Sequence, residues 1–109
     1  MNIYDEQKRN AFKPIKEDFI VLDFSDCKYL GEIHKMLKEK FGFPEYYGEN
    51  WDALWDCLDD FFFAKKEFKV EIYGFYAMEE SMREQCKELL EIFDDLREEY
   101  PSITMELIS

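Results

Sequence analysis

The apolar positions change period along the chain, and the changes mark out its elements. Phe19 to Phe24 (Phe-Ile-Val-Leu-Asp-Phe) is dense in β-branched and aromatic residues. It is too short for a stable helix and too apolar for a one-sided strand, so it predicts a central strand buried on both faces. Ser25 and Asp26 then offer a helix cap. Beyond them Leu30, Ile33, His34, Leu37 and Phe41 recur at helical spacing, and Gly42 marks the stop. Phe43 to Gly48 reads as a loop built on Pro44 and Gly48. A second helix follows, capped by Asn50 and running to about Asp60. The cluster Phe61 to Phe63 is expected to pack at the edge or end of the sheet, with a turn over Ala64 to Glu67. Phe68 to Phe75 predicts another strand. Met82, Cys86, Leu89, Phe93, Leu96 and Tyr100 form one stripe, which predicts a single helix over Glu79 to Glu99, ended by Pro101. Ile103 to Ile108 predicts the last strand.

Strands separated by helices argue for a parallel sheet. The fold class expected is α/β, a small three-stranded parallel sheet packed with helices. A chain of 109 residues is one domain. Residues 1–18 are mixed and polar and read as an N-terminal extension, with a short edge strand near Met1 to Tyr4; residues 19–109 form the domain proper.

Composition sharpens the picture in three ways. The chain is 47% hydrophobic and 18% aromatic, enough to build a core despite its charge, which excludes a disordered chain. Its net charge of −12 repels nucleic-acid phosphates and anionic membranes and favours cationic proteins, although high charge also serves solubility alone. Cys27, Cys57 and Cys86 are odd in number with no CxxC pair, against a disulfide scaffold or a cysteine-rich metal site. The opening MNIYDEQKRN has no apolar leader and no stretch approaches a membrane span, so a cytoplasmic protein is expected.

The second helix carries the most information. At about 100° per residue, Trp51, Leu54, Cys57, Leu58 and Phe61 gather on one side, with Ala53 at the margin. Asp52, Asp56, Asp59 and Asp60 gather on the other, and Trp55 falls at the edge of this acidic side, where it is expected to stand exposed among carboxylates. From Pro44 to Asp60 there are six acids and no Lys or Arg, interleaved with Tyr46, Tyr47, Trp51 and Trp55. Aromatics around a charged anchor are typical of protein–protein hot spots. The alternative is that Trp55 packs under a neighbouring loop and the acids are merely solvated.

The run Pro44-Glu-Tyr-Tyr-Gly-Glu-Asn-Trp-Asp-Ala-Leu-Trp-Asp-Cys-Leu58 strongly resembles the barstar family, intracellular inhibitors of barnase-type secreted ribonucleases. The likeness extends more loosely over most of the chain after residue 19. It implies a barstar-like domain over 19–109, and it implies roles. Asp56 matches the principal acidic anchor, which occupies the ribonuclease's phosphate-binding site, and Asp52 matches the second acidic contact. Tyr46 and Trp55 match flanking aromatic contacts, Gly48 and Asn50 the binding loop and helix start, and Asp95 a peripheral acidic contact, a Glu in the family. Departures occur at Trp51, where the family has Leu, and at Phe61, where it has Trp. The segment from Asp59 to Tyr76 follows the family poorly, the family's second cysteine near the C-terminus is missing, and residues 1–18 have no counterpart.

Catalysis is the weaker reading. Asp52 and Asp56 could act as a general acid–base pair or hold a cation, but they lie on a helix surface with no ligating His nearby, so no catalytic, cofactor or metal site is expected. His34, the lone histidine, sits on an apolar face and reads as a packed residue with one hydrogen bond. Cys57 and Cys86 read as core. The partner expected is a basic ribonuclease, bound by a chain that is monomeric when free; the alternatives are another cationic toxin, or a basic regulatory protein for which this chain is a scaffold.

Overall fold

A computed structural model describes residues 12, 13, 15–65 and 67–108. The edge strand expected near Met1 to Tyr4 lies outside them. The elements run β1 (Phe19–Asp23), α1 (Leu30–Phe41), α2 (Trp51–Lys65), β2 (Phe68–Tyr73), a 3-10 turn (Phe75–Ala77), α3 (Glu80–Gln85), α4 (Lys87–Glu99) and β3 (Ile103–Ile108). Among the described residues they build a three-stranded sheet in the order β1-β2-β3, with both pairings parallel, so the α/β architecture expected from the sequence is the one observed.

The register puts Ile20 beside Val70 and Leu22 beside Ile72, with Phe68 opposite Ile103. These residues are buried beneath the helices. Because strand side chains alternate, Phe19, Val21 and Tyr73 go to the other face and stay exposed. That corrects one expectation. β1 is an edge strand with one buried face, and β2 is the central strand. On the second face Lys69 lies 3.9 Å from Glu71 of its own strand and 3.8 Å from Glu106 across on β3.

Four boundaries also differ. α1 is not capped by Ser25 or Asp26 but starts at Leu30 after Tyr29 with no side-chain cap, and the Ser25 hydroxyl instead donates to Asp23. α2 does not stop at Asp60 but runs to Lys65, so Phe61 and Phe62 are buried on the helix, where they pack on Phe68 at the end of the sheet as expected. Leu54, Cys57, Leu58, Phe61 and Phe62 continue one helical stripe, while Phe63 points outward and is 56% exposed. The second strand ends at Tyr73 because Gly74 turns the chain at φ 76°, where an added Cβ would lie 2.4 Å from the backbone nitrogen of Ser25. The single helix expected over Glu79 to Glu99 is two. Cys86, at φ −85° and ψ −1°, separates α3 from α4. Met82, Cys86, Leu89, Phe93 and Leu96 are all buried, so the apolar stripe passes through the break and hides it from periodicity.

The core under the site is aromatic. Phe41 stacks on Phe43 at 5.4 Å and meets the edge of Phe61 at 5.0 Å, and Phe61 in turn meets Phe68 edge-on at 5.0 Å. Such pairs add about 0.5–1.5 kcal/mol each beyond their burial. They fix the end of α1 and the later turns of α2 against the sheet.

Candidate functional site

The loop from Phe43 to Asn50 and the first turns of α2 form the candidate site. Phe43 is fully buried, and its ring lies 5.0 Å from that of Tyr47. The Tyr47 amide donates to the Pro44 carbonyl at 3.0 Å, closing a turn. Tyr47 therefore faces inward, 6% exposed, while Tyr46 beside it faces outward at 59%. The buried Tyr47 hydroxyl shares a 2.6 Å hydrogen bond with His34 Nδ1 on α1. His34 also packs against Trp51, ring centroids 4.7 Å apart and the planes tilted by 48°. The lone histidine is thus a packed, hydrogen-bonded residue, as its place on an apolar face suggested. Its burial holds its pKa below the usual histidine value, against a weaker upward pull from Glu49. Burial, with the nearby Cys57 and Glu49, pushes the Tyr47 hydroxyl well above the usual tyrosine range, so it stays protonated.

The helix start is closed by Asn50, whose Oδ1 accepts the Ala53 amide at 2.8 Å and whose Nδ2 donates to the Gly48 carbonyl at 3.2 Å. Asn50 is therefore a cap, and Gly48 is tied to it. Just before the cap, Glu49 takes a left-handed conformation, φ 50°, uncommon for a residue other than glycine. No sequence signal marks it.

The acidic face is smaller than the helical wheel suggests. Asp59 is half-buried and accepts the Tyr100 hydroxyl at 2.6 Å, joining α2 to the end of α4. Asp60 is half-buried as well. Glu45 is held by Lys38 at 3.0 Å and Lys13 at 3.4 Å, and these lysines keep its carboxyl below the usual range. Asp52 and Asp56 are what remains on α2. Both are exposed, one turn apart, and neither makes an ion pair or hydrogen bond to a described residue. Their mutual repulsion costs about 0.2–0.5 kcal/mol until a cation relieves it.

Trp55 also corrects an expectation. It does not stand exposed among the carboxylates; it is half-buried and packs against the core, so only part of its ring is open beside Asp52 and Asp56. Asp95 is exposed on α4, which packs on α2. The structure thus brings Tyr46, Gly48, Asn50, Asp52, Trp55 and Asp56 onto one loop–helix unit, with Asp95 on the neighbouring helix.

Other groups offer little chemistry. Cys27, Cys57 and Cys86 are buried thiols. Burial raises the Cys27 pKa and pushes that of Cys86 up to about 11, which keeps both thiols protonated and poor nucleophiles at neutral pH. No three His, Cys, Asp or Glu side chains among the described residues are grouped to hold a metal ion, and no helix among them is long and apolar enough to cross a membrane. A surface depression lined by Asp94, Arg97, Glu98, Pro101, Ile103 and Thr104 contains none of the site residues.

Residues 17–107 match the family model described as Barstar (barnase inhibitor). A Bacillus subtilis (strain 168) protein named "Putative ribonuclease inhibitor YrdF" is 51% identical over 39 residues, a match that takes in 36% of this chain and 43% of that relative. With the family model matched across nearly the whole folded region, the chain belongs to the barstar family.

Proposed function

We propose that the protein is an inhibitor, not an enzyme, and that it occludes the basic active site of a barnase-like secreted ribonuclease. The observation that carries this reading is the pair Asp52 and Asp56, exposed one turn apart on α2 with no cation among the described residues paired to them. Membership of the barstar family and the name of the Bacillus relative support it.

In this reading Asp56 takes the place of a substrate phosphate and accepts a bidentate pair from an arginine in the cleft. Asp52 accepts from a second basic group. Tyr46 and the open part of Trp55 cover the pair and exclude water, which strengthens the attraction. Gly48 and Asn50 hold the loop's path, and Asp95 touches the rim. The net charge of −12 speeds encounter with a basic partner and disfavours nucleic acid and anionic membranes. The protein acts in the cytoplasm, is monomeric when free, and needs no metal or cofactor.

Titration against a panel of small basic secreted ribonucleases tests the proposal. Stoichiometric loss of RNA cleavage by one of them is the expected result. Undiminished cleavage by all of them at inhibitor excess overturns it and turns the search towards another cationic toxin.

A further inference from the structure

The family match begins at residue 17, yet residues ahead of it touch the binding loop. The Lys13 amide donates to the Gly42 carbonyl at 2.8 Å. Gly42 ends α1 at φ 70°, and a Cβ there would lie 2.5 Å from the Lys13 carbonyl oxygen, so this glycine both stops the helix and admits the passing chain. The Phe12 ring meets Phe43 edge-on at 6.0 Å and 86°. Phe43 carries the contact to Tyr47, and Tyr47 to His34. The Lys13 ammonium lies 3.4 Å from Glu45, whose other oxygen is held by Lys38. Farther on, Lys65 at the end of α2 donates to the carbonyls of Ile15 and Glu17. The segment is therefore fastened at the ends of both helices that flank the loop. Tyr46 stands between Glu45 and Tyr47, the two residues that this arrangement holds.

We infer that Phe12 and Lys13 are positioning residues for the partner-binding loop: a strap from outside the family's span sets the order of the segment that presents Tyr46. Its importance for binding rests on the reading above, that this loop meets the ribonuclease. The exposed Lys13–Glu45 pair is screened by solvent and contributes little. The Phe12 edge and the Lys13–Gly42 backbone bond carry the effect. An ordered loop loses less entropy on binding, so loosening the strap weakens the complex without removing any contact to the partner.

Backbone amide exchange on the free, full chain tests the strap. In Phe12→Ala, the Phe43 and Tyr47 amides should exchange about fivefold faster, the size expected for losing one aromatic pair, while the Val70 amide in the central strand keeps its rate. Phe12→Tyr, which keeps the ring edge, restores the parent rates, and Phe12→Leu falls between. Unchanged loop amides overturn the inference, as does an equal acceleration at Val70, which reports a general loss of stability. Against a ribonuclease that the parent chain inhibits, Phe12→Ala should raise Kd by a similar factor of about five. An unchanged Kd with faster loop exchange overturns the positioning role. If the parent chain inhibits no ribonuclease, the proposed function fails by itself, and loop exchange still decides whether the strap orders the loop.

Discussion

His34 Nδ1 and the Tyr47 hydroxyl lie 2.6 Å apart in the core, and this one contact ties α1 to the loop that precedes the acidic helix. Trp51 covers the same imidazole. Removing the hydroxyl in Tyr47→Phe leaves a buried ring nitrogen without its partner and should cost about 1–3 kcal/mol in urea unfolding. A Tyr47→Phe protein with parental stability would show that the bond contributes nothing net.

The same imidazole gives stability a pH dependence. Its native pKa is lowered, so as pH falls below about 6.5 the unfolded chain takes up the proton first. Stability is fully present above that pH and declines as pH drops towards the lower native value. Asp23 and Glu45, held low by Ser25 and by Lys38 with Lys13, act only in more acidic solution. Urea unfolding between pH 7 and 5 should therefore show a loss that His34→Gln abolishes. A slope unchanged by that substitution would assign the effect elsewhere.

Asp59 separates fold from site. Its carboxylate accepts the Tyr100 hydroxyl, and the Tyr100 ring rests near Phe62. Tyr100→Phe should lower stability by about 1.5 kcal/mol, and Asp59→Ala by a similar amount, with little effect on affinity for the partner. A double-mutant cycle by denaturation checks the coupling; additive losses would mean that the two groups act independently.

Gly74 is fixed by sterics. At φ 76° with the Ser25 backbone 2.4 Å from a Cβ, Gly74→Ala should cost about 1–2 kcal/mol or more in thermal or urea unfolding. A neutral result would mean that the β2–turn junction relaxes freely.

Much of this architecture was legible in the pattern of apolar residues, and the errors have physical causes. The three strands and the helix stop at Gly42 follow from period and turn chemistry. The helix was expected to end near Asp60, yet Phe61 and Phe62 extend the stripe that Leu54 and Leu58 begin, so it runs on to Lys65. The break at Cys86 is invisible because burial continues through it. β1 is as apolar as a central strand, but strand order depends on crossovers that no local pattern reveals. At the site, the loop, the cap at Asn50 and the exposure of Asp52 and Asp56 were legible. The capture of Asp59 by Tyr100 and of Glu45 by Lys13 and Lys38 was not, since those partners lie far along the chain or on another element. The half-burial of Trp55 was missed because a helical wheel shows direction and not what packs there.

The contrast between Asp56 and Asp59 decides most directly whether α2 is the inhibitory surface. Calorimetric titration of the parent, Asp56→Ala and Asp59→Ala against an inhibited ribonuclease should show Asp56→Ala losing about 3 kcal/mol or more of binding free energy, the loss expected when one partner of a desolvated ion pair is removed. Asp59→Ala, still folded, should lose less than about 1 kcal/mol, as expected for a side chain outside the hot spot. Equal, small losses at both positions would contradict the model.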